Sequence, residues 1–213
     1  MARLGDIKLD KSTISGHKLL RFTTVIVNVG AGPFELHGSR PDTSTPQMPV
    51  TQRIYDGTGG YRDVATTATM YYAGDGHDHW HTKNLQYAGL DRLDNGVRVK
   101  RWAKQGFCFA DGGAFNLSLP GAPQSAVYTD CGHEPTLLSV TMGLSVGWGD
   151  WYKYNLAFQY IDVTGVPAGR YRLRVIADSA NRFLEARDGN NGTWADIEYN
   201  GSKVQVLGYG PSA

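Results

Sequence analysis

Residues 170–177 read Arg-Tyr-Arg-Leu-Arg-Val-Ile-Ala, so polar and apolar side chains alternate along nearly the whole segment. An extended chain sends successive side chains to opposite faces. Tyr171, Leu173, Val175 and Ala177 therefore share a buried face, and Arg170, Arg172 and Arg174 form the solvated face of one half-buried strand. Residues 195–207 carry the same alternation on both sides of Asn200-Gly201, a strong hairpin signal. That hairpin sets Ile197 and Tyr199 beside Val204 and Val206. Residues 18–29 form an apolar, β-branched run closed by Gly30-Ala31-Gly32-Pro33, with Leu20, Phe22, Thr24 and Ile26 on one face. Residues 64–81 read as strand, turn, strand. Residues 34–63 contain several Pro and Gly, with turns at Asp56-Gly57 and Gly59-Gly60 and no helical period.

Composition extends this local reading to the whole chain. Of 213 residues 27 are Gly, and the 20 acids divide into 16 Asp and 4 Glu. Asp favours turns and caps, whereas Glu favours helix interiors. The expected fold is all-β: a single β-sandwich domain over residues 1–213, with long loops, little helix, and no repeat or linker. The formal charge of +1 argues against nucleic acid as the main partner. No apolar run is long enough for a membrane-spanning helix. Residues 1–6 show neither the charged nor the apolar part of a secretory signal.

The densest chemistry lies in His77-Asp78-His79-Trp80-His81, which holds three of the six histidines. In a strand the three imidazoles share one face, about 7 Å apart along it. Two of them can chelate one ion, and Gly74 and Gly76 allow the bend that brings in the third. Imidazole suits copper, zinc, iron and nickel. Structural zinc sites close with four protein ligands, whereas three leave a position open for redox or hydrolytic chemistry. His17, His37 and His133 are available as a fourth ligand, but spacing recommends none of them. Cys108 and Cys131 are too far apart for a zinc knuckle, and their spacing fits either one disulfide or two free thiols.

Gly74-Asp75-Gly76-His77-Asp78-His79-Trp80-His81 resembles the copper-binding segment of the lysyl oxidase family, most closely its bacterial secreted members. Further segments follow in family order. Lys104-Gln105-Gly106-Phe107-Cys108 resembles the segment of the cofactor lysine, and Gly147-Trp148-Gly149-Asp150-Trp151-Tyr152 that of the cofactor tyrosine. Gln159 to Gly165 and Phe183-Leu184-Glu185-Ala186 also follow the pattern. The resemblance covers residues 70–208 well and residues 1–69 loosely. The cysteine that precedes the histidine cluster in animal members is missing.

The resemblance implies that His77, His79 and His81 bind copper, and that Lys104 and Tyr152 form a lysine tyrosylquinone. It also implies a Cys108–Cys131 disulfide, which suits a secreted, extracellular protein. The implied activity is oxidation of a primary amine, peptidyl lysine included, to an aldehyde, with molecular oxygen consumed and ammonia and hydrogen peroxide released. Joining Lys104 to an oxidised ring needs its amine neutral, which burial near a cation favours. Asp75, Asp78, Asp130, Asp150 and His133 are candidate bases by proximity in sequence. Two rival readings use the same histidines: a secreted metal-binding sandwich without quinone chemistry, and a zinc or iron enzyme. Zinc can also stand in place of copper.

Overall fold

The computed structural model describes residues 2–74 and 78–210, with the backbone alone at residues 84 and 105. Its strands run in chain order as β1 (Ala2–Asp10), β2 (Leu19–Val27), β3 (Phe34–Ser39), β4 (Gln47–Tyr55) and β5 (Tyr61–Ala73). They continue as β6 (His79–Arg92), β7 (Arg98–Phe107), β8 (Gly113–Ala114), β9 (Ser139–Leu144) and β10 (Trp148–Tyr152). The last four are β11 (Tyr160–Asp162), β12 (Gly169–Ala177), β13 (Gly192–Tyr199) and β14 (Val204–Tyr209). One turn of 3-10 helix, Asp188–Asn190, is the only helical element among the described residues. The all-β expectation holds.

Two antiparallel sheets face each other. The smaller runs β1-β2-β10-β8, with β11 also on β2; the larger runs β14-β13-β12-β6-β5-β4-β3-β9, with β7 on β6. Thr82 pairs with Met70 of β5 and with Phe107 of β7, so those two strands flank β6 on opposite edges. Further along, β12 takes the edge that β5 leaves. The core between the sheets includes Phe22, Trp80, Leu90, Phe107, Tyr171 and Leu173, each at most 1% exposed. Burying a side chain of this size contributes roughly 1.5–3 kcal/mol.

The alternation of residues 170–177 appears as expected: Tyr171, Leu173, Val175 and Ala177 are buried. The opposite face differs from a simple solvated row. Arg172 makes a two-point ion pair with Asp196 at 2.7 and 2.8 Å and stacks 3.7 Å over the Trp194 ring. Arg170 reaches Glu198 and Arg174 reaches Asp91, so neighbouring strands supply counter-charges. The hairpin also matches, with Ile197 opposite Val206 and Tyr199 opposite Val204. Residues 34–63 hold more order than their turns suggest. They contain β3 and β4, and the register of β4 on β5 slips at Pro49, a residue that normally argues against an interior strand.

Candidate active site

His79 and His81 lie on the first turns of β6, on either side of Trp80, which is fully buried. Strand alternation thus puts both imidazoles on the face away from the core. Their Nε2 atoms converge to 2.7 Å, and their ring centres are 4.4 Å apart. An ion bonded to both nitrogens at about 2 Å and near a right angle needs them ~2.8 Å apart, so this pair suits a bound metal. His81 is 6% exposed, with the Tyr71 ring 5.8 Å away. Gly106 lies directly against the His81 ring, and a side chain there would collide with it. His77 and Asp75 lie outside the described residues. Among the described residues no group of three or more His, Cys, Asp or Glu side chains is arranged to hold an ion.

The segment 104–107 belongs to β7, paired directly with the histidine strand. The ladder matches Lys83 with Gly106 and then Gln86 with Lys104, so β6 carries one extra residue in between. Such a bulge re-aims side chains. On one side of it Gly106 meets His81; on the other Lys104 points between the sheets. There the Lys104 Nζ sits 4.1 Å from the centre of the Tyr152 ring, which is carried by β10 of the opposite sheet. Phe107 closes the contact, with its ring 4.9 Å from Tyr152 and 5.4 Å from Lys104 Nζ. The structure thus brings together two side chains whose association sequence spacing could not reveal.

Asp150 and Tyr152 alternate on β10 and share the inward face. Asp150 is 7% exposed, and Asp150 and Tyr152 each perturb the ionisation of the other. Burial pushes the Asp150 carboxyl up to about 8, against smaller opposing effects of the Tyr152 hydrogen bond and the Lys104 charge. Burial likewise raises the Tyr152 phenol well above its usual value, and Asp150 adds to the rise. The nearby backbone of Cys108 partly offsets this. The Oδ2 of Asp150 has no partner within the described protein. Next to Lys104 in the ladder, Gln86 accepts from Thr24 Oγ1 at 2.9 Å, and Gln159 donates to the same hydroxyl at 3.2 Å.

Cys108 and Cys131 form a disulfide. It ties the end of β7 to the loop that covers the histidine strand, where Cys131 and Gly132 accept from the Trp80 backbone N–H. Of the other candidate bases, Asp78 and Asp130 are exposed and contact His133. His17 pairs with Asp162 and His37 with Glu35, each at 2.6 Å, and neither joins the histidine cluster. Trp151 is 42% exposed and packs over Gly113 of β8. A cavity of about 540 Å³ opens between residues 28–33 and 178–191, with Phe34, Phe109, Phe183, Glu185 and Asn191 in its wall. Phe109 stacks on Phe107, so a layer of rings separates this cavity from Tyr152. The parts that Gly106, Phe107, Gln86 and Thr24 play at this site are set by their neighbours in the fold, and their sequence spacing carries no sign of them.

A family model described as lysyl oxidase matches residues 51–208, a longer stretch than the residues 70–208 read from motifs. Lysyl oxidase homolog 1 of Homo sapiens is 30% identical over 132 residues, 61% of this chain and 21% of that protein. Lysyl oxidase homolog 3 of Homo sapiens is 25% identical over 136 residues, covering 61% and 16%. Lysyl oxidase homolog 3A of Danio rerio is 27% identical over 129 residues, covering 60% and 16%. The matched region spans about a fifth or less of the length of these relatives.

Proposed function

This chain belongs to the lysyl oxidase family, and from that premise we propose that it is a copper-dependent amine oxidase that matures a lysine tyrosylquinone from Lys104 and Tyr152. His77, His79 and His81 would hold the copper. The substrate class is a primary amine, lysine side chains of peptides included, with molecular oxygen as oxidant and an aldehyde, ammonia and hydrogen peroxide as products. Residues 1–213 act as one catalytic domain, secreted to an oxidising compartment that preserves the Cys108–Cys131 bond.

The observation that carries this reading is the contact of Lys104 Nζ with the Tyr152 ring across two sheets at 4.1 Å. A movement of about 1 Å brings the amine to the ~3–3.5 Å from which bonds form. The paired imidazole nitrogens of His79 and His81 supply the donor set that copper prefers. When bound, copper with oxygen supplies the oxidation of the tyrosine ring, and the resulting quinone supplies an electron sink for the amine.

The chain's own side chains set the stage for that chemistry. Phe107 packs edge-on against the Tyr152 ring, whose face Lys104 covers, and the Asp150 carboxyl acts on the phenol from the same strand. Asp150 Oδ2 is buried without a hydrogen-bond partner among the described residues, which leaves it available to take the phenol proton. A carboxyl raised to about 8 both accepts and returns a proton near neutral pH. Phe107 packs on Tyr152 and restricts water on that side. The Arg172 pair and the rest of the outer sheet face take no part.

Phenylhydrazine labelling of copper-loaded, aerated protein tests the reading together with peroxide release from a simple alkylamine. Labelling of the peptide that contains Tyr152, with peroxide formed, is expected. Full copper occupancy with neither signal contradicts the reading. Zinc loading serves as the control, because zinc has no redox chemistry with which to build the quinone.

A further inference from the structure

We infer that Gln86 positions the oxidised ring of Tyr152, its side-chain amide donating a hydrogen bond to the oxygen that the ring gains as the quinone forms, an inference that rests on the copper and quinone reading above. Gln86 of β6 is paired with Lys104 of β7, and Thr24 of β2 is paired with Tyr152 of β10. Two contacts cross between the sheets at these positions. Lys104 Nζ covers the Tyr152 ring at 4.1 Å, and Gln86 Oε1 accepts from the Thr24 hydroxyl at 2.9 Å. Neighbouring strands lie about 4.8 Å apart. The Gln86 amide thus stands roughly one strand spacing from the place where amine and ring meet.

The orientation of that amide is fixed. The Thr24 hydroxyl gives its single hydrogen to Gln86 Oε1 and accepts from Gln159 Nε2 at 3.2 Å. Gln86 therefore turns its oxygen to Thr24 and its two N–H donors away from it. Gln86 and Gln159 are each 1% exposed, and Thr24 is fully buried. Gln86 Nε2 is buried without a hydrogen-bond partner among the described residues. Glutamine is mostly a surface residue, and an amide buried with its donors unpaired is costly. Such an exception in a native fold calls for a functional account.

The chemistry of the surroundings identifies the missing acceptor. Thr24 is engaged through both of its roles. Asp150 Oδ2, two residues from Tyr152 on the same inward face, is also buried without a partner, so it and Gln86 Nε2 do not satisfy each other. Oxidation of Tyr152 introduces a new oxygen, and a quinone oxygen only accepts. Lys104 is not its independent donor, because the Lys104 nitrogen becomes bonded to the ring. Gln86 is the neighbour in the ladder with hydrogens left to give. A donor held in place before the oxygen arrives favours the oxidised ring over its precursor without reorganisation. No bond is made or broken at Gln86, and no proton leaves it.

The test compares copper-saturated, aerated wild type with Gln86→Met, which matches glutamine in length and has no N–H to give. Mass spectrometry verifies the Lys104–Tyr152 crosslink in each sample, and resonance Raman reads the quinone carbonyl bands. A hydrogen bond weakens a carbonyl, so the band of Gln86→Met is expected at higher wavenumber than that of wild type, with the visible absorption maximum displaced. Loss of a merely structural contact would lower the denaturation midpoint and leave the bands in place. Superimposable bands in crosslinked Gln86→Met overturn the assignment and leave Gln86 a structural residue. Should that variant misfold or stay uncrosslinked, wild type decides. With isotope-labelled glutamine side chains and the copper stripped, the Gln86 amide protons are expected to move downfield in the magnetic resonance spectrum on maturation; unmoved signals overturn the assignment. Absence of both crosslink and quinone bands from wild type at full copper occupancy overturns the copper and quinone reading instead, and the inference falls with it.

Discussion

Lys104 of the larger sheet and Tyr152 of the smaller one meet face-on, amine over ring, with 4.1 Å between Nζ and the ring centre. Neither residue is remarkable in its own strand. Their meeting depends on the bulge in β6 that turns Lys104 inward while Gly106, two residues on, stays against His81. One short segment of β7 therefore touches both the histidine strand and the tyrosine.

Replacing Tyr152 with Phe removes the buried phenol oxygen beside Asp150. The variant should fold, at a cost of about 1–3 kcal/mol for the buried groups left without a partner. Quinone absorbance and amine-dependent peroxide should fall below detection. Chemical denaturation and a peroxide assay check the two halves, and wild-type peroxide release from this variant would remove Tyr152 from the chemistry.

The pH dependence of stability should carry the mark of Asp150. Burial keeps its carboxyl protonated in the folded chain up to about 8, against an ordinary value of 3.8. Between those values the folded state holds a proton that the unfolded state has released. Stability from this group is full below about pH 4, declines by up to about 1.4 kcal/mol per pH unit, and levels off above about pH 8. Asp150→Asn abolishes that slope. Denaturation midpoints of metal-free wild type and variant at pH 5 and 7.5 check it: the difference between the two proteins should change with pH, and parallel curves contradict the assignment.

How much of this was legible in sequence depended on whether a signal is local. Alternation is local, so β12 and the β13–β14 hairpin could be read with their faces correct. The strand β4 was hidden because Pro49 and the turn residues around it break the alternation, and the bulge at Pro49 accommodates what a regular ladder would not. The histidine cluster was legible because the period of a strand is written into its spacing. Lys104 and Tyr152 were reached only through family resemblance, since their contact crosses between sheets. The contact of Gly106 with His81 depends on bulge geometry, and the burial of Asp150 beside Tyr152 on the packing of two sheets, for which a single sequence carries no sign.

Gly106→Ala should weaken metal binding without touching a ligand. The added methyl would collide with the His81 ring and come within 2.6 Å of the Tyr71 hydroxyl. Overpacking of this kind costs roughly 1–3 kcal/mol, here taken up by displacement of the imidazole. Isothermal titration with Cu(II) should show a clear loss of affinity. Unchanged affinity would mean that His81 has room to yield and is not held by the strand beside it.

Loss of the Cys108–Cys131 bond should act on two regions at once. For a separation of 23 residues the stabilisation is about 3 kcal/mol. The double Cys→Ser variant should unfold at correspondingly lower denaturant. It should also bind copper more weakly, because the covering loop no longer holds Trp80 and the histidine strand as firmly. Equal affinity in a folded double variant would confine the disulfide to a role in stability.

The most direct measurement is a peptide map of copper-saturated, aerated protein by mass spectrometry. A crosslinked peptide pair in which residue 104 is joined to residue 152 is expected, absent from the metal-free control and from Lys104→Gln. Recovery of both peptides separate and unmodified after full copper loading would contradict it.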